Sequence, residues 1–230
     1  MKIKWYGQAA FRLLPDTGPT IITDPYTPDV VGYAPIMDPA DLVIRSSDDD
    51  TAHCRSDLIS GSPEVVNGLE VAKSGGPVIA AGVTITAVEA AECDDHPDHD
   101  VPGKSGMSKF TLDGVTCAHM GDMGNDVTDA QIAFFEGTDV LFALTGGHPT
   151  TSLPDLQRII EHARPRLIIP MHFRTLTYKP RSQFWVETFL DLYDDDQIDF
   201  ALGCEAVVTA GSLPDSTRIL VLDYARANGD

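Results

Sequence analysis

The chain has 230 residues, 43% of them apolar, and a mean hydropathy of −0.07, a composition able to bury a sizeable core and too apolar for intrinsic disorder. Acidic residues outnumber basic ones 35 to 16, a formal charge of −19, so a phosphate backbone or an anionic membrane would be repelled by most of the surface. That excludes nucleic acid and membrane as default partners, and no run approaches the roughly 20 apolar residues a membrane span requires.

The N-terminal stretch MKIKWYGQAAFRLL alternates where a signal peptide would be a solid apolar block, which reads as a soluble cytoplasmic protein. From there to about residue 120 the chain reads mostly as strand, at residues 1–6, 11–14, 20–23, 42–45, 78–80, 84–88, 108–112 and 115–118. Asp113-Gly114 between the last two predicts a tight hairpin, because both central residues of such a turn need positive φ.

After residue 120 helices alternate with single strands. Thr128 and Gln131 have capping-box spacing and open a helix to Phe135, ahead of a strand at 140–144. Ser152 and Pro154 begin a second helix with Leu156, Ile159, Ile160 and Ala163 on one face, followed by a strand at 167–169. Ser182 begins a third, with Trp185, Phe189 and Tyr193 at helical spacing, and strands at 206–209 and 219–222 finish the chain. With no linker rich in Pro, Gly or Ser, this order predicts one α/β domain over residues 1–230, its helices packed on sheets. The apolar third helix, with Phe184, Trp185 and Phe189, is either core or the interface of a homo-oligomer.

All 7 histidines fall between residues 53 and 172, and most follow a predicted strand. The strand ends lead into Asp48-Asp49-Asp50 and His53; into Glu92, His96 and His99; into His119 and Gly121-Asp122; into Gly146-Gly147-His148 with Thr150; and into Met171-His172. Ligand sites gather at carboxyl ends of strands, where loops converge on a rigid scaffold, so these segments predict one polar site. Imidazole mixed with carboxylate suits a divalent ion such as Zn²⁺, Mn²⁺ or Fe²⁺. Such an ion brings a bound water to a pKa of about 7, which makes hydrolysis the natural reaction class. The plainer readings are a solvated charge run at Asp48 to Asp50, a mobile acidic loop around His96 and His99, a core histidine at His172 and a surface one at His162. His119 either points into the sheet or supports a ligand from behind. Cys54, Cys93, Cys117 and Cys204 contain no C-x-x-C pair, which argues against both a zinc ribbon and a disulfide scaffold.

Trp5-Tyr6-Gly7-Gln8-Ala9-Ala10-Phe11, Ile22-Thr23-Asp24-Pro25, His119-Met120-Gly121-Asp122, Gly146-Gly147-His148 with Thr150, and Ile169-Pro170-Met171-His172 together resemble the metallo-β-lactamase superfamily over roughly residues 1–175. The branch they look most like contains ascorbate-6-phosphate lactonase and related metal-dependent hydrolases. The resemblance implies a four-layer αββα sandwich with one or two metal ions per chain at one edge. It places Asp122 on the aspartate that bridges two metals and His172 on the late histidine ligand. The superfamily's His-x-His-x-Asp-His signature is not kept. The strand at 42–45 runs instead into Ser-Ser-Asp-Asp-Asp-Thr-Ala-His, and a further histidine position falls near Glu92.

Three outcomes fit that mixture: a rewritten metal site, a fold that has lost its metal and binds a ligand or partner, or a cleft working by general acid and base alone. The first is favoured, because carboxylates replace imidazoles as ligands. It makes Asp48, Asp50, His53, Glu92, His96, His99, Asp122 and His172 the candidate ligands. Asp50 is then also the candidate base orienting the water. Gly147, His148 and Thr150 would meet the substrate, and Arg174 or Lys179 would hold an anionic group on it. The expected reaction is hydrolysis of a small-molecule ester, lactone or phosphodiester.

Overall fold

The computed structural model describes residues 1–48, 51–94, 103–181 and 183–227. One sheet contains β1 (Lys2–Gly7), β2 (Ala10–Leu14), β3 (Ile21–Thr23), β4 (Leu42–Arg45), β5 (Glu64–Asn67) and β13 (Glu205–Val207), in the order β13-β1-β2-β3-β4-β5. The other is built from β6 (Val78–Ala80), β7 (Val83–Ala91), β8 (Lys104–Leu112), β9 (Val115–His119), β10 (Val140–Leu144), β11 (Leu167–Met171), β12 (Ile198–Phe200) and β14 (Arg218–Val221), in the order β12-β14-β11-β10-β9-β8-β7-β6. The helices are short: α1 (Pro28–Val31), α2 (Gly68–Ser74), α3 (Asp129–Phe134), α4 (Leu153–Ala163) and α5 (Val186–Leu190).

The two sheets face one another across a shared core, the mixed α/β sandwich that the family resemblance implies. Phe11 of β2 meets Phe142 of β10 at 4.5 Å between ring centroids, and Trp5 of β1 meets Phe173, just past β11, at 4.9 Å. Every residue of β10 and β11 is buried, as expected of parallel strands covered on both faces. The opposite face of the six-stranded sheet carries a second apolar cluster, in which Ala10, Ile22 and Val43 pack under Tyr26, Val31, Tyr33 and Tyr178.

Local signals account for several elements directly. Asp113 and Gly114 adopt φ of 49° and 74° between β8 and β9, the paired positive values the hairpin needs. Thr128 and Gln131 form the reciprocal capping box that starts α3. Ser152 caps α4 by accepting from the Asp155 amide, and Leu156, Ile159 and Ile160 are buried.

Three departures have physical causes. The third helix is confined to Val186–Leu190 behind Trp185, since Trp185 has the extended backbone of a cap and residue 185 bridges to Arg174; Ser182 lies outside the described residues. α2 interrupts the strand-rich half, anchored by the Asn67 side chain, which accepts from the Leu69 and Glu70 amides at 2.9 and 3.4 Å. It is too short to display a helical period. β5 and β12 also escape the sequence pattern, because exposed positions predominate over buried ones in both. Among the described residues, no helix is long and apolar enough to cross a membrane.

Candidate metal centre

The carboxyl ends of β3, β4, β9 and β11 deliver Asp24, His53, Asp122 and His172 to one edge of the sandwich. His53, Asp122 and His172 are buried, and one ligand atom from each lies within 4.8 Å of the others. Asp122 Oδ1 is 3.6 Å from Nε2 of both imidazoles, and the two rings stack with centroids 5.3 Å apart. Two nitrogens and a carboxylate oxygen therefore converge on a single point.

Asp24 organises this arrangement from behind. Fully buried, its carboxylate accepts from the Ser46 amide at 2.7 Å, from Ser46 Oγ at 3.0 Å and from His53 Nδ1 at 3.1 Å. The last bond places a proton on His53 Nδ1 and turns Nε2 toward Asp122 and His172 as an acceptor. An imidazole oriented by a carboxylate in this way is the usual support for a metal-binding nitrogen.

Gln8 closes the opposite side. It sits in the turn between β1 and β2, just past the register shift at Trp5 to Gly7, and its Nε2 lies 2.9 Å from His53 Nε2 and 3.2 Å from His172 Nε2. Gln8, Asp24 and His172 all have left-handed backbones, with φ of 48°, 36° and 53°. Three such non-glycine residues at one place mark strain gathered at a site.

His119 is held behind the cluster. The Gly121 amide donates to its Nδ1 at 3.1 Å, which leaves Nε2–H to donate to the Ala9 carbonyl at 2.9 Å. Burial pushes its pKa below the ordinary imidazole value, partly opposed by Asp24.

The other predicted residues are distributed differently. Asp48 is half exposed and pairs with Arg45. Glu92 is buried and accepts from the Gly103 amide at 2.9 Å. Asp50, His96 and His99 lie outside the described residues. Gly146 and Gly147 pack tightly against protein: a Cβ on Gly146 would fall 2.1 Å from the His172 carbonyl oxygen, and one on Gly147 would fall 2.6 Å from the Phe184 ring. Thr150 turns back to the Gly147 carbonyl at 2.8 Å, and His148, next to a cis Pro149, is exposed. Arg174 stacks over the Trp185 ring at 4.9 Å, while Lys179 is exposed and bonds the Asp29 carbonyl. His162 is exposed, on Glu136 at 2.7 Å.

Sequence reasoning assigned no role to Asp24 or Gln8. Asp24 directly follows the apolar strand β3, so the carboxyl-end rule applied to the other loops reaches it too. Gln8 has no comparable signal, because its place depends on the turn between β1 and β2.

The model for a beta-lactamase superfamily domain matches residues 2–172 of this chain. The chain belongs to that superfamily. Among its relatives within the superfamily, a UPF0173 protein of Pyrococcus furiosus is 27% identical over 201 residues, covering 80% of this chain and 89% of that one. A UPF0173 metal-dependent hydrolase of Pyrococcus abyssi is 25% identical, with 76% and 85% of the two chains covered. Among solved structures, a candidate Zn-dependent hydrolase of the metallo-beta-lactamase superfamily from Thermotoga maritima matches with a TM-score of 0.74 and 27% identity, over 97% of this chain and 99% of that one.

Proposed function

We propose that this superfamily member is a metal-dependent hydrolase that holds one divalent cation between His53 Nε2, Asp122 and His172 Nε2 and acts on a small-molecule ester, lactone or phosphodiester. The observation that carries the reading is the convergence of two imidazole nitrogens and a carboxylate oxygen in a buried position, with His53 already set in the tautomer that ligation requires. The metal-dependent hydrolases among its relatives support the same reading. A nitrogen-rich set with one carboxylate fits Zn²⁺, Mn²⁺ or Fe²⁺.

One cation is favoured over two by what stands where the superfamily's first histidines would be. Aligned on the strand without a gap, Ser47 takes the first of those positions; it is buried beside Ser46, whose amide and hydroxyl are spent on Asp24. A divalent cation so held would supply a nucleophilic water with a pKa of about 7. The chain's own residues do the rest. Asp24 keeps the His53 lone pair aimed, and Asp50 would be the base that orients the attacking water. Arg174, stacked on Trp185, is the cation nearest in sequence to His172 and would hold an anionic group on the substrate. Gly147, His148 and Thr150 would border the substrate, in a single domain over residues 1–230 working in the cytoplasm.

The test is elemental analysis of untagged protein together with thermal unfolding in Mn²⁺ or Zn²⁺. Near-stoichiometric metal and a raised Tm are expected, lost in Asp122→Ala and His172→Ala and kept in His162→Ala. Metal-free protein with no gain in Tm would sink the reading. A second reading, a non-catalytic binding protein, is favoured by one observation: the Gln8 amide already bridges both imidazoles. Metal binding combined with silence on generic esters, lactones and phosphodiesters is the result it predicts.

A further inference from the structure

Gln8 is 2% exposed, and its backbone is pinned from two directions, the carbonyl accepting from the Trp5 indole at 3.0 Å and from the His172 amide at 3.0 Å. Its side-chain Nε2 lies between the imidazoles of His53 and His172.

The hydrogen-bond arithmetic at that place is uneven. Asp24 holds the His53 proton on Nδ1, so His53 Nε2 is an acceptor and the Gln8 group facing it must be the NH₂. Gln8 Oε1 then points away from both rings, buried and with no hydrogen-bond partner among the described residues. A buried carboxamide oxygen left in this state is costly, and a carboxamide relieves it most simply by turning over. Turning over is blocked while the Nε2 lone pair of His53 accepts from the NH₂, because two acceptors would then meet. It becomes favourable once a cation takes those lone pairs, since Oε1 is a hard oxygen ligand aimed at the same point.

We propose that Gln8 is a further ligand of the cation, its carboxamide donating through Nε2 to the two histidines in the metal-free chain and turning to ligate through Oε1 when the cation enters. The inference rests on the cation reading above and adds a ligand from the β1–β2 turn to those from β4, β9 and β11. It also gives a physical role to the left-handed backbone of Gln8, which aims a residue of a strand turn inward at the site.

The test is direct titration of metal-free protein with Co²⁺, read by calorimetry and by the visible spectrum of the bound ion, for the wild type, Gln8→Leu and Gln8→Glu. Gln8→Leu is expected to bind Co²⁺ at least about tenfold more weakly and with a changed visible spectrum, while Gln8→Glu, which keeps an oxygen at the same reach, binds at least as tightly as the wild type. Equal or tighter binding by Gln8→Leu with an unchanged spectrum would overturn the proposal and leave Gln8 as a plug that competes with the cation, with the His53, Asp122 and His172 site intact. Should Gln8→Leu fail to fold, weaker binding by Gln8→Glu overturns it instead. No binding by the wild type overturns the cation reading and this one together.

Discussion

The Asp24 carboxylate accepts three hydrogen bonds among the described residues, and each holds a different part of the site in place: the Ser46 backbone, the Ser46 hydroxyl and the His53 ring. Replacing it by alanine frees the His53 tautomer and strands the Ser46 amide. Asp24→Ala is therefore expected to weaken Mn²⁺ or Zn²⁺ binding about 10–100-fold by titration and to cost roughly 1–3 kcal/mol of stability in denaturant unfolding. Conservation of affinity in that variant would remove Asp24 from the site. His119 contributes in another way. Its folded pKa lies below the ordinary value of 6.5, so the folded chain keeps it neutral while the unfolded chain takes a proton. The associated stability is present above about 6.5 and is lost as pH falls below it. Metal-free protein is expected to show a falling Tm from pH 7.5 toward pH 5.5, with a shallower fall in His119→Gln.

At the scale of elements, the close approach of α2 to β8 is the most exacting contact near the site. A Cβ on Gly106 would lie 2.2 Å from the backbone carbon of Gly68, and the Gly106 amide donates to the Ser46 carbonyl at 2.8 Å. Nothing flexible can give way there, because the obstacle is helix backbone. Gly106→Ala is expected to destabilise by about 1–3 kcal/mol or more and to disturb the segment that carries Ser46, whereas Gly76→Ala, with open space around it, stays within about 0.5 kcal/mol. Chemical unfolding of the two variants checks the contrast. Elements with their own chemistry, such as the Asp113-Gly114 hairpin and the caps at Thr128 and Ser152, are readable in the sequence because each signal acts within a few residues. α2 is not, since Asn67 and a seven-residue helix leave no period, and its position is set by a glycine almost 40 residues away in the chain.

For the whole molecule, the surplus of 19 negative charges is a self-repulsion that the fold tolerates and a cation partly offsets. Saturating cation, about 100-fold above its Kd, is expected to add about 2.7 kcal/mol, or roughly 5–10 °C in Tm for a chain of this size, reversed by EDTA. Raising NaCl from about 0.02 to about 0.3 M in metal-free protein should raise Tm independently, by screening the acidic surface. A Tm insensitive to both would mean that neither the site nor the charge shapes stability.

The amino-acid order by itself determined the strand-then-helix rhythm and the identity of Asp122, His172 and His53 as residues worth following, since apolar periodicity and polar strand ends are local patterns; the two-sheet architecture came from the superfamily resemblance of its motifs. Which of the acidic and imidazole groups meet was decided only by the tertiary structure. Asp48 turns to Arg45, Glu92 to the Gly103 amide, and Asp24 and Gln8, separated in the chain from their partners by 29 and 45 residues, close on His53 from either side. Local pattern brings residues to the ends of strands; the pairing of sheets selects the few that share a point in space.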